Sequence, residues 1–211
     1  MPTSAEWLVF LGAATLFAII PGPGILYVLA RSLRGGRSDG IRSTLGNGIG
    51  ALAHVAAAAV GLSAVLAASA TAFTVVKLLG AGYLIYLGLR ALLDRDHLPV
   101  AEPVGRRPRP GGSPVVQGMV SELLNPKTAL FFLAFLPHFV HPDAAPAPLV
   151  FALLGAIAVA MTVVVDLTVA VFAGALGQRL MGSPRWRTRQ RVASGLTMIG
   201  LGGALALAER G

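Results

Sequence analysis

The sequence predicts an all-α integral membrane protein: six transmembrane helices forming two inverted three-helix repeats, with helices 1 and 4 interrupted by proline. Three observations predict it. The chain is 55% hydrophobic and only 12% charged, with mean hydropathy +0.74, where soluble domains run to about 25% charged. Its apolar segments are long and nearly free of charge, which suits helices rather than a barrel of short alternating strands. Two of those segments carry a proline break, and they fall at corresponding places in the two halves.

The first span covers about 6–30, with no charged residue from Trp7 to Ala30. At about 1.5 Å per residue those positions reach roughly 36 Å, enough for a bilayer core of about 30 Å. Inside the span sits Pro21-Gly22-Pro23-Gly24. Two prolines remove backbone donors and glycine is a poor helix former. Unpaired backbone in hydrocarbon costs several kcal/mol per group, so such a break belongs where protein or a wet cavity takes over the bonding. No Lys or Arg precedes Arg31, so the segment reads as a retained helix rather than a signal peptide.

A basic loop is expected at 31–42, with Arg31, Arg34, Arg37 and Arg42 against Asp39. The uncharged run from Ser43 to Val76 is too long for one span and divides at a turn near 68–72, giving helix 2 over 43–67 and helix 3 over 71–93. The stretch 94–114 is rich in Pro and Arg and reads as a linker. Helix 4 follows over 115–139, broken at Asn125-Pro126-Lys127. Helix 5 covers 149–180, a basic loop carries Arg185 to Arg191, and helix 6 covers 192–208. The whole is one transporter domain, with repeats over 7–93 and 115–208.

Charge sets the orientation. The flanks after helices 1, 3 and 5 hold 14 of the 17 Lys and Arg residues, and the two loops on the other side hold none. Positive-inside placement puts the basic loops in the cytoplasm, against anionic lipid, and both termini outside. The net charge of +8 is therefore no sign of nucleic-acid binding. Each repeat has three spans, an odd number, so the second crosses inverted relative to the first. Paired interrupted helices in such repeats point to a transporter's binding site. Close helix approach is expected at Gly46, Gly50, Gly61, Gly195, Gly200, Gly202 and Gly203.

The breaks suit a zwitterion. Asn125 is a good N-cap and Pro126 a good first helical residue, which leaves the amides of Lys127 and Thr128 to donate. Pro23 plays the same part in helix 1, opening the amides of Gly24 and Ile25. Either helix end, carrying about half a positive charge, receives a carboxylate. Measured along the helices at about 1.5 Å per residue, Asn125 lies roughly 15 Å deep, His54 roughly 16 Å and Asp166 roughly 20 Å. Asp166 is a lone acid costing about 2.5–3.5 kcal/mol on insertion scales; it reads as ammonium partner or proton carrier, or as a structural partner of Lys127 or Thr162. Glu122 reads as a partner of Lys127 or a second coupling acid. His54 is the third proton-coupling candidate, set against a plain hydrogen-bonded core histidine.

No cofactor and no enzymatic activity are expected. There is no Cys, which excludes thiol redox chemistry and Cys-ligated metal. Gly46-Asn47-Gly48-Ile49-Gly50 follows no strand and lacks the dinucleotide spacing. His138, His141 and Asp143 have metal-ligating residue types, but three such residues on a Pro-containing loop make a weak case. Hydrolysis would need a nucleophile–base pair, and His54 has no Ser partner in sequence.

Taken together, several motifs resemble the LysE/RhtB superfamily of amino-acid exporters, nearest its RhtB branch. They are Pro21-Gly22-Pro23; Gly46 to Gly50 with His54 and Gly61; Lys77-Leu78-Leu79-Gly80-Ala81-Gly82-Tyr83-Leu84 with Tyr86-Leu87-Gly88; and Leu124-Asn125-Pro126-Lys127 leading into Phe131-Phe132-Leu133-Ala134-Phe135-Leu136-Pro137. The resemblance implies a bacterial inner-membrane exporter of small neutral amino acids of the homoserine, threonine or leucine kind, driven by proton antiport, with a homo-oligomer left open. Rival readings are a divalent-metal exporter, for which the membrane layer offers few acids, and a non-transporting assembly protein, which would lack a polar cavity at mid-membrane.

Overall fold

The computed structural model describes residues 2–62, 70–93, 112–141 and 145–181, with scattered positions between 188 and 203. Helix α1 is Ser4–Ile19, opened by a capping box between Thr3 and Glu6. Helix α2 is Pro23–Ala57, running into a π turn at Ala58–Leu62. Helix α3 is Ala70–Leu93 and α4 is Pro114–Leu123. Helix α5 starts at Pro126–Leu130 and continues as a π turn over Phe131–Phe135 and a 3-10 turn over Leu136–Phe139. Helix α6 is Ala147–Met181. Among the described residues two stretches, Ser4–Gly61 and Ala147–Ala173, are long and apolar enough to cross a membrane. A third is the bent pair Pro114–Leu123 with Pro126–Phe139, 50° apart.

The expected loop at 31–42 is corrected: it is helical, and the reversal is confined to Gly36, whose φ of 74° is the one positive value among the described residues. Glycine adopts that conformation without strain. Two limbs of α2 therefore fold against each other. Straight, Gly24 and Asn47 would stand about 35 Å apart; instead a β-carbon on Gly24 would lie 3.1 Å from Asn47 Nδ2. Arg31 Nη2 donates to Asp39 Oδ2 at 2.8 Å across the turn, so two of the charges expected in a basic loop fasten the hairpin.

Glycines set the packing of the second limb. A β-carbon on Gly50 would meet Met119 O at 2.7 Å, and one on Gly118 would meet Ser43 O at 2.6 Å. These pairs rise together in number, so the limb runs parallel to α4. Asn47 with Asp166 and Val55 with Gly155 run in opposite senses, so α6 is antiparallel to it. Gly195 packs against Gly88 of α3, its β-carbon position 2.9 Å from Gly88 O, whereas no described residue stands within 4 Å of a β-carbon at Gly61, Gly200 or Gly203.

The two broken spans lie antiparallel, with their breaks opposed. Phe10 meets Phe139 at 5.5 Å between ring centroids and Phe17 stacks on Phe131 at 4.2 Å. Further along, Gly22 faces Lys127 and Gly24 faces Glu122. The core of buried residues is concentrated at the aromatic end, around Phe10, Phe131, Phe132, Phe139 and Phe151. The bounds of α3 agree with expectation. Of the turn expected near 68–72, residues 70–72 already belong to α3, which corrects that part of it; 68 and 69, and most of the linker, lie outside the described residues. Gly202 and parts of the last basic loop and of helix 6 also lie outside them, while the described positions from 192 to 203 are helical.

Candidate functional site

Chain breaks leave backbone groups that must be bonded by something else. In the first, α1 ends at Ile19 and α2 begins at Pro23, its N-cap Gly22 supplying no side chain. In the second, Asn125 caps α5 as its sequence suggests: Oδ1 accepts from Lys127 N at 3.1 Å, with Pro126 in the first turn. The Lys127 amide is thereby spoken for, which corrects the expectation that it stands open.

Lys127 Nζ turns away from its own helix, whose N-terminus is positive, to the negative C-terminal end of α1. It donates to Phe17 O at 2.5 Å and Ile20 O at 2.6 Å, with the Phe17 ring centroid 4.5 Å away. These carbonyls, rather than Glu122 or Asp166, are its hydrogen-bond partners. Glu122 instead accepts from Asn125 Nδ2 at 3.1 Å and Thr128 Oγ1 at 2.5 Å. Its Oε2 lies against Gly24, where any β-carbon would collide with it. Asp166 accepts from Asn47 Nδ2 at 2.9 Å, while Thr162 donates to Val159 O.

Asp166 at 5%, Glu122 at 8% and Lys127 at 8% relative exposure are all buried. Two acids and a base so deep are retained at a cost that packing alone does not require. They line a cavity of about 30 Å³ together with Gly22, Gly24, Asn47 and Asn125. That is room for about two water molecules, so an amino acid fits only if the lining parts.

The expected site residues thus divide. Gly22, Gly24, Asn125, Lys127, Thr128, Asp166 and Glu122 converge on the cavity. Pro23 and Pro126 start the helices behind it, and Pro21 lies in the intervening break. His54 stands behind Glu122: its Nε2 is 3.1 Å from Glu122 O and its ring stacks on Phe132 at 6.5 Å. Sequence reasoning missed Asn47, whose Oδ1 is buried with no hydrogen-bond partner. Outside this layer, His141 Nε2 lies 3.0 Å from each Glu6 carboxylate oxygen. Among the described residues no three His, Cys, Asp or Glu side chains group as metal ligands; Asp143 lies outside the described residues.

Residues 15–209 match the family model for LysE type translocators. A membrane protein of Vibrio cholerae is 30% identical over 96% of this chain and 97% of its own length. One of Pseudomonas aeruginosa is 32% identical over 96% of this chain and 94% of its own. A Salmonella typhimurium protein named as a homoserine/homoserine lactone efflux protein is 30% identical over 82% of this chain and 81% of its own. No solved structure matches the chain.

Proposed function

The chain belongs to the LysE type translocators, a family of membrane transporters, and on that premise we propose that it exports small neutral amino acids of the homoserine, threonine or leucine kind by proton antiport. The observation that carries this reading is the meeting of two helix breaks across a cavity lined by the buried side chains of Glu122, Lys127 and Asp166. The relative named for homoserine efflux supports the substrate class.

In this reading the substrate carboxylate docks at the uncapped N-terminus of α2, against the amides of Gly24 and Ile25 and near the Lys127 ammonium. Its own ammonium turns to Asp166 and Glu122. Breaks at Pro21, Gly22, Pro23 and Gly24, and at Asn125, Pro126, Lys127 and Thr128, supply the dipoles. Asp166 carries the proton, with Glu122 second; His54, placed behind Glu122, holds the end of α4. The antiparallel pairing of the broken spans supports two inverted repeats over 7–93 and 115–208, joined by a cytoplasmic linker over 94–114, in a single domain. Rocking one repeat against the other alternates access. The basic faces, including the Gly36 turn, lie in the cytoplasm of a bacterial inner membrane, against anionic lipid.

Expression in a host fed a panel of radiolabelled amino acids tests the substrate: lowered accumulation of the small neutral members is expected, and unchanged accumulation of all of them refutes it. In proteoliposomes under an imposed pH gradient, Asp166→Asn should remove proton-driven efflux. An unchanged proton-dependent rate would take Asp166 out of coupling.

A further inference from the structure

From the cavity, three to five residues along each helix toward the Gly36 turn lead to one polar layer. Gly24 leads to Tyr27, Asn47 to Ser43, and Glu122 to Gln117 with Pro114 a turn beyond. Tyr27 spans the gap between helices there. Its hydroxyl lies 3.2 Å from Pro114 O and 3.3 Å from Gln117 Oε1, with Ser43, Arg31 and Asp39 as its other polar neighbours. O–H···O bonds are commonest near 2.7–2.8 Å, and one proton serves two acceptors, so this contact is weak and easily released. One layer further, the Arg31–Asp39 pair ties the two limbs of α2.

The other side of the cavity is closed differently. Phe17 lines the cavity and stacks on Phe131; beyond them Phe131 meets Phe135 at 5.2 Å, and Phe135 meets Phe139 at 5.1 Å. From Phe17 back to Phe10 that seal is about 10 Å thick along α1, and every ring in it is buried. Parting it means separating close-packed aromatic pairs, whereas parting the Tyr27 side means exchanging a long hydrogen bond for one to water.

We infer that Tyr27 is the gate between the cavity and the face bearing the Gly36 turn, latched to α4 through Gln117 and the Pro114 carbonyl, and that this is the side that opens first. The inference rests on the transporter reading, which puts that face in the cytoplasm. Solute enters when the phenol swings off α4, and the Tyr27 hydroxyl restores the closed state behind it.

The absence of native Cys makes a thiol reporter clean. Ala51 also lines the cavity; with Ala51→Cys, modification by a small, charged, membrane-impermeant methanethiosulfonate is timed in sealed membrane vesicles of each orientation. Tyr27→Phe keeps the ring and drops the hydroxyl. It should raise the rate about fivefold from the Gly36 face, the factor that a hydrogen bond of about 1 kcal/mol represents, and leave the rate from the opposite face unchanged. Gln117→Leu, which removes the acceptor from α4, should do the same. Equal rates before and after both substitutions, or a rise confined to the aromatic face, overturn the inference. The readout is independent of substrate: a gated thiol with no amino-acid efflux condemns the substrate assignment alone, and efflux with an ungated thiol condemns the gate alone.

Discussion

The two breaks occupy equivalent places in antiparallel spans yet are built from opposite materials. The first is backbone: two prolines, two glycines and a helix start that no side chain caps. The second is side chains: Asn125 bonds both its own helix and Glu122, Thr128 bonds Glu122, and Lys127 crosses over to the carbonyls of Phe17 and Ile20. The second break therefore satisfies itself and half of the first. What remains open is the start of α2, bare peptide facing two carboxylates and an ammonium. A pair of breaks can match in position without matching in chemistry, and under the proposed function the mismatch is what a ligand with both charges would exploit once the lining parts.

If that division holds, Lys127→Met should have the largest effect. Methionine keeps most of the side chain's length but strands the buried Phe17 carbonyl, at about 1–3 kcal/mol, and the part-buried Ile20 carbonyl for less. A thermal unfolding midpoint well below that of the native protein in the same detergent is expected, along with lost efflux; an unchanged midpoint would mean that the two breaks are not tied. Gly24→Ala comes next. Its methyl group displaces the Glu122 carboxylate, so efflux should fall sharply while stability drops by about 1–3 kcal/mol, the usual cost of overpacking. Normal efflux from this variant would show that Glu122 need not lie against α2. Asn125→Ala should be mildest in stability, about 1 kcal/mol for a lost N-cap, and Asn125→Ser should recover most of it. Failure of serine to rescue would shift the role of Asn125 from capping to its bond with Glu122.

Much of this comparison was legible in the residues. Proline next to glycine in an uncharged span marks a break, and Asn-Pro marks a helix start; the helix starts at Pro23 and Pro126 follow from that alone. The convergence of Asn125 and Asp166 followed from counting residues along each helix. Other parts were hidden by a single error of placement. The clustered arginines at 31–42 suggest a loop, which starts helix 2 at Ser43 and leaves Asn47 only about 6 Å deep. Begun just after Gly36, the same helix carries Asn47 about 15 Å in, level with Asn125, where an amide in an apolar run demands a partner. The target of Lys127 was out of reach for a different reason: sequence shows which groups are charged, but the carbonyls that receive Nζ belong to residues with apolar side chains. Gly61, Gly200 and Gly203 show the converse, since small residues permit close approach without compelling it.

Under the proposed function an exported solute lies between the two breaks, and substrate protection measures that directly. With Ala51→Cys as the only thiol, the rate of modification is followed in membranes titrated with whichever amino acid the cells export. Saturable slowing, reversed on washing and abolished by Lys127→Met, is the predicted result. An exported amino acid that leaves the rate unchanged at every concentration would place its path elsewhere in the protein.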